Sequence, residues 1–151
     1  MERSMIAVMV IGTEPVCPRC DLVARLVQEV ARESNVQVDL RHFAFDSEDA
    51  RALGRRLGRN VGTAKHVAKA AGISIDWDAV HRLIDRRKEA LGPDARPADT
   101  WTPELDRMLE PCQQVAESVA YLMTPVLVVD GVVTHHGSVP TREEIRSWIL
   151  E

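Results

Sequence analysis

The stretch that decides the fold runs from residue 5 to residue 20 and reads MIAVMVIGTEPVCPRC. Residues 5–11 form a continuous apolar run, which is typical of a strand buried on both faces. Cys17 and Cys20 follow it, separated by two residues. Beyond Cys20 the apolar residues recur at helical spacing as far as residue 34. The sequence therefore predicts a central strand, a cysteine pair and a helix that begins at that pair.

The segments on either side of the middle of the chain predict the rest of a sheet. Residues 36–43 alternate apolar with polar, as a half-buried strand does, and a β-α-β unit in one sheet implies parallel strands. Residues 126–129 are a second strongly apolar run, followed by Asp130-Gly131, a two-residue hairpin signal. Residues 141–144 read TREE, a capping box that predicts a last helix.

The middle of the chain predicts helices. From Ser47 to about Cys112 the periodicity is helical and is interrupted by glycines and prolines, which favours several short helices with a loop over 92–102. A further helix is expected over 113–122, before Thr124-Pro125. We divide the chain into an N-terminal half of the sheet (1–50), a helical insertion (51–112) and a C-terminal half (113–151).

Composition and charge exclude several classes of protein. Apolar residues make up 45% and charged residues 28% of the chain, as in an ordinary soluble globular protein. The net charge of −4 argues against nucleic acid as a partner, and the apolar runs are too short to span a membrane. Three cysteines are too few for a secreted disulfide framework, so we expect a reducing compartment, the cytoplasm.

The spacing of the cysteines indicates dithiol chemistry. At a helix start, Cys17 and Cys20 lie on one side of the first turn and within reach of each other. The helix N-terminus and Arg19 favour a thiolate at Cys17, and Pro18 suits the first helical position. Cys17 is therefore our predicted nucleophile, and Cys20, further into the helix, the resolving thiol. A C-x-x-C pair can alternatively bind metal, and its place after a buried strand favours redox chemistry.

Two separated segments resemble the thioredoxin-like superfamily, and more closely its small redox-active disulfide proteins related to thioredoxin and glutaredoxin. One runs from Ile11-Gly12 through the cysteine pair, and the other comprises residues 123–131 with 137–141. The resemblance implies an α/β fold of order β-α-β-α-β-β-α with a four-stranded mixed sheet, and an all-helical insertion before a cis-proline strand. It also implies a cis Thr124–Pro125 bond beside the dithiol, with a backbone edge free to pair with substrate.

These expectations define a function. We predict a thiol–disulfide oxidoreductase without a cofactor, in which Met123, Thr124 and Pro125 bind the substrate, a disulfide-bearing protein or a small thiol compound. Its electrons are expected from a thioredoxin-reductase-type flavoprotein or a small thiol. The alternatives are a soft-metal-binding module and a redox sensor that use the same dithiol. No metal site with four ligands is predicted, because no second ligand pair has usable spacing.

Two further groups were candidates for chemistry. Cys112 follows a proline at a predicted helix start, and we interpret it as an inert packing residue rather than a third redox thiol. His135 and His136 follow the hairpin, and adjacent strand residues point to opposite faces, so both cannot easily bind one metal. We expect them to be exposed to solvent.

Overall fold

The computed structural model describes residues 5–150, so residues 1–4 of the predicted N-terminal half and residue 151 lie outside it. Two short 3₁₀ turns occur at Pro97–Thr100 and Glu117–Val119. The strands are β1 (Ile6–Gly12), β2 (Val38–Ala44), β3 (Asn60–Gly62), β4 (Tyr121–Met123), β5 (Val126–Val129) and β6 (Val132–His136). The helices are α1 (Pro18–Glu33), α2 (Glu48–Leu57), α3 (Ala64–Ala71), α4 (Trp77–Leu91), α5 (Pro103–Ala116) and α6 (Arg142–Leu150).

The main sheet has four strands in the order β2-β1-β5-β6. β1 runs parallel to β2 and antiparallel to β5, and β5 runs antiparallel to β6. The hairpin between β5 and β6 turns at Asp130 and Gly131, whose φ values of 49° and 82° are what a turn of the predicted kind requires. The four-stranded mixed sheet and the α/β class are confirmed.

The two faces of the sheet bury different helices because successive side chains of a strand point to opposite sides. Ile6, Val8 and Val10 of β1 pack in one core with apolar residues of α1 and α6. Ile11 packs on the other face with Leu53 of α2. β1 is thus buried along the face of Ile6, Val8 and Val10. On its other face Ile11 is buried, Met9 is half-buried and Ala7 is exposed, so the prediction of a strand buried on both faces holds only in its second half.

The middle segment is not all-helical, and this part of the prediction is wrong. β3 lies within it and pairs in parallel with β4 as a separate two-stranded sheet. A strand of three residues that includes Gly62 has no periodicity to detect. It forms because β4, about sixty residues later in the chain, provides its hydrogen-bonding partner.

The helix predicted over 113–122 is also wrong. α5 begins at Pro103 and continues through Pro111 to Ala116, and residues 121–123 form β4. A proline inside a helix costs about 3 kcal/mol, but α5 buries Leu105, Leu109 and Cys112 in a second core with α3 and α4. This burial outweighs the local penalty. The 3₁₀ turn that follows α5 ends at Ala120, whose backbone has the left-handed conformation, with a φ of 58°.

Candidate active site

The cysteine pair lies where β1 leads into α1. Cys17 is the N-cap of α1 and Pro18 its first residue, as predicted. The Cys17 sulfur accepts a hydrogen bond from the backbone N–H of Cys20 at 3.3 Å, so it caps one of the unsatisfied donors of the helix N-terminus. Cys17 is half-buried and Cys20 fully buried. The outer sulfur is therefore the one that another molecule can reach.

The two sulfur atoms interact directly. The two atoms lie 2.9 Å apart, within hydrogen-bond distance, and the Cys20 thiol is the donor when Cys17 is the thiolate. This bond is the largest cause that lowers the pKa of Cys17 from its ordinary value of 9.0 to about 6; burial opposes it, and the Cys20 N–H and the charge of Arg19 add to it. The same bond, together with burial, raises the pKa of Cys20 well above its ordinary value. At neutral pH the pair holds one thiolate, on Cys17.

Arg19 is buried rather than exposed beside the dithiol. Its Nε donates to Asp106 Oδ1 at 2.8 Å, and its terminal nitrogen donates to the carbonyl of Gly137. Asp106 also accepts from Trp101 Nε1 at 3.2 Å and from the N–H of Val139 at 2.8 Å. This carboxylate links α1, α5 and the segment before α6. Sequence reasoning missed Asp106, because nothing near it in the chain indicates Arg19 as its partner.

Close packing behind Cys20 requires a glycine. A Cβ at Gly12 would lie 2.5 Å from Cys20 Sγ and 3.0 Å from His42 Nε2. Because real Cβ atoms do not approach that closely, Gly12 is what lets β1 pass the buried thiol. His42 Nε2 is buried and has no hydrogen-bond partner within residues 5–150. A polar ring atom therefore lies on the inner side of the dithiol.

The segment predicted to bind substrate is buried, and its backbone edge is not free. The Thr124–Pro125 bond is cis, and Met123, Thr124 and Pro125 are all buried. The Thr124 N–H donates to the Gly62 carbonyl of β3 at 2.9 Å. The expectation of a free edge is thus wrong on this side, because β3 occupies the position where a substrate strand would pair.

A cavity of about 350 Å³ lies beside Cys17. Cys17, Pro18, Arg19 and Thr124 contribute to its wall. The remaining lining is mostly from the middle segment: Thr63, Ala64, Lys65, Trp77, Val80, His81, Ile84, Leu105 and Leu109. The insertion therefore faces the dithiol, and it lines an open cavity beside Cys17.

The other candidate residues are placed away from this space. Cys112 is buried in the core of α3, α4 and α5, and burial raises its pKa, in keeping with a packing residue. The expectation that His135 and His136 are exposed is wrong. His135 stacks on Trp148 with ring centroids 5.9 Å apart, and His136 Nδ1 accepts from the Met123 N–H at 3.2 Å. Burial lowers the pKa of His135.

The described part of the chain has neither a cluster of metal ligands nor a helix that could span a membrane. Among residues 5–150, no group of three or more His, Cys, Asp and Glu side chains is arranged to hold a metal ion. None of the helices in the same range has the length and apolar character needed to cross a membrane.

The sheet order and the position of the dithiol at the start of α1 define a thioredoxin-like protein. A family model described as a thioredoxin domain matches residues 102–150, the closing third of the chain, which contains the cis Thr124–Pro125 bond, the β5–β6 hairpin and α6. The matched segment does not include Cys17 and Cys20. Comparison with curated proteins and with solved structures gave no match. The fold and this segment are similar to those of the thioredoxin-like superfamily.

Proposed function

We propose that this protein is a thiol–disulfide oxidoreductase that uses Cys17 as nucleophile and Cys20 as resolving thiol. The observation that carries the proposal is the pair itself: a half-buried sulfur with a pKa lowered to about 6, 2.9 Å from a buried thiol. A thiolate is the reactive form of cysteine, and a pKa near or below ambient pH provides it without a separate base. The thioredoxin-like fold supports redox chemistry at the level of the superfamily.

The reaction has two exchange steps. The Cys17 thiolate attacks one sulfur of a substrate disulfide, the substrate S–S bond breaks, and the first half leaves as a thiolate that takes up a proton from water. Cys20 then loses its proton to solvent and attacks the Cys17 sulfur. The mixed disulfide breaks, a Cys17–Cys20 disulfide forms, and the second half leaves. Two protein thiols are oxidised, and one substrate disulfide is reduced to two thiols.

The neighbouring residues have supporting roles in this proposal. Pro18 and Arg19 favour the thiolate, the first by starting the helix and the second by its charge. Thr124 would contact the substrate as part of the cavity wall beside Cys17, and the buried Met123 and Pro125 would hold Thr124 in place. A thioredoxin-reductase-type flavoprotein or a small thiol would return the protein to the reduced state. We expect it to act in the cytoplasm, where thiols are kept reduced.

Single-turnover reduction of a model disulfide tests the proposal. The reduced protein should reduce bis(hydroxyethyl) disulfide, and Cys17→Ser should abolish the reaction. Cys20→Ser should accumulate a mixed disulfide at Cys17, visible by mass spectrometry. Cys112→Ala is the matched control and should react as the parent protein does. If the purified protein instead carries stoichiometric metal and reacts with no disulfide, the dithiol is a soft-metal site and the proposal fails.

A further inference from the structure

The backbone beside the dithiol is already paired on the side of β3. An extended segment binds by adding a strand to an exposed edge, where main-chain N–H and C=O groups are unpaired. At Thr124 the N–H already donates to Gly62, and β3 lies along β4 on that side. A substrate strand could pair there only by displacing β3. The edge therefore favours a substrate that does not need main-chain pairing.

The cavity beside Cys17 has a size and lining that suit a small molecule. Its volume of about 350 Å³ is within the range of ligand pockets, about 300–1,000 Å³. Val80, Leu105 and Leu109 are buried apolar residues of its wall, and Trp77 and Ile84 add half-buried apolar surface. An apolar group would lose contact with water on entering it.

The charge of the cavity lining has one sign. Lys65 and His81 are exposed lining residues, and no Asp or Glu among residues 5–150 contributes to the wall. Lys65 Nζ lies 5.5 Å from the centroid of the Trp77 ring, and within the described chain no carboxylate is at ion-pair distance from it. Arg19, by contrast, is already paired with Asp106. An unpaired cation beside apolar surface is complementary to an acid group on an apolar body.

We propose that the substrate is a low-molecular-weight disulfide whose halves are apolar and carry an acid group, bound in this cavity with its disulfide against Cys17. The inference rests on the proposed function and adds the substrate class. The apolar half lies against α4 and α5, and the acid group lies near Lys65. The exchange steps and their electron balance are those given above, with two small thiols released for each Cys17–Cys20 disulfide formed.

The test compares two probes on the reduced full-length protein. Dithiobis(nitrobenzoate) has aromatic halves that each carry a carboxylate, and bis(hydroxyethyl) disulfide is small and uncharged. For each probe, the single-turnover rate constant of a variant is divided by that of the parent protein, so that the intrinsic reactivity of the probe cancels. The bis(hydroxyethyl) disulfide ratio also reports whether a variant has kept its fold and its Cys17 thiolate.

Two variants address the cavity, each with a control from the same helix. His81→Trp fills the cavity from an exposed position, and Arg82→Trp places the same ring on the neighbouring exposed residue that does not line it. We expect His81→Trp to slow the aromatic probe by about tenfold or more relative to the small probe, and Arg82→Trp to change neither.

The second variant is Lys65→Glu, which should slow the reaction of the aromatic probe by about fivefold, an exposed charge effect of about 1 kcal/mol. Its control is Lys69→Glu, which makes the same change of net charge on α3 outside the cavity. Lys69→Glu should leave the rate constant of the aromatic probe unchanged.

A competitor tests the other class of substrate. Reduced and alkylated insulin B chain is an extended polypeptide without a disulfide, and we expect an excess of it to leave the rate with the aromatic probe unchanged. If the B chain competes, or if both cavity variants slow the two probes equally, the inference is wrong although the oxidoreductase function stands. If neither probe reacts at Cys17, the proposed function itself fails.

Discussion

The buried ion pair of Arg19 and Asp106 gives a quantitative prediction about stability. The two side chains are only 6% and 17% exposed, and Asp106 serves three donors with its two oxygens. Asp106→Asn removes the negative charge. It also replaces one acceptor oxygen with an NH₂ group, which then faces one of these three donors. Removing one partner of a buried ion pair costs about 3–5 kcal/mol, and the amide keeps one acceptor. We therefore expect a loss of about 3 kcal/mol, at the lower end of that range.

Glu48→Gln is the matched control for this change. Glu48 also pairs with an arginine, Arg55, and like Asp106 it lies in the first turn of its helix, so both variants lose a similar interaction with the helix dipole. The Glu48 and Arg55 side chains are 76% and 65% exposed, so their pair should contribute little to the free energy of unfolding. The two variants therefore differ in the burial of the ion pair and in the two further hydrogen bonds that Asp106 accepts.

Urea denaturation of the reduced protein measures the difference. With a slope of about 2 kcal/mol/M, a loss of about 3 kcal/mol lowers the midpoint of Asp106→Asn by about 1.5 M. Glu48→Gln should shift it by less than about 0.5 M. Equal midpoint shifts for the two variants would refute the reasoning, because the Arg19 charge would then not depend on Asp106 for its burial.

Three further predictions concern the thiols. The alkylation rate of Cys17 by iodoacetamide should rise with pH through a midpoint near 6 and level off above it, since the thiolate is the reacting form. In Cys20→Ala the midpoint should move to higher pH. An unchanged midpoint would contradict the assigned hydrogen bond. Cys112 should resist alkylation in the folded protein and react in urea, as followed by peptide mass spectrometry, because it is fully buried and burial raises its pKa. Gly12→Ala should destabilise the protein to urea by about 1–3 kcal/mol, since its Cβ would lie 2.5 Å from Cys20 Sγ; a neutral effect would mean that β1 can move away from the thiol.

Much of the sheet could be predicted from the sequence because its signals are local. The apolar run before Gly12 marks β1, and the alternation of residues 36–43 marks β2 within one or two residues of its ends. Asp130-Gly131 and the capping box at Thr141 each fix a turn or a helix start through bonds between residues at most three apart in the chain. Such patterns record which residues face the core and which backbone groups need a partner nearby.

The middle segment shows where local patterns fail. Pro111 predicts a helix end, but α5 continues through it because its apolar face is buried against α3 and α4. β3 has no pattern of its own and depends on β4 for its hydrogen bonds. In both cases a contact between distant segments is stronger than the local preference.

The sequence by itself determined the class of fold and the cysteine pair at the start of α1, since local patterns carry both. The cis Thr124–Pro125 bond was implied only by the family resemblance, and the structure shows it. Tertiary structure alone decided what surrounds that pair: Asp106 as the partner of Arg19 across 87 residues, β3 on the edge at Thr124, and the apolar, basic cavity beside Cys17. These features depend on how α3, α4 and α5 pack against the sheet. The sequence therefore indicates the dithiol, and the packing of the insertion determines which residues surround it.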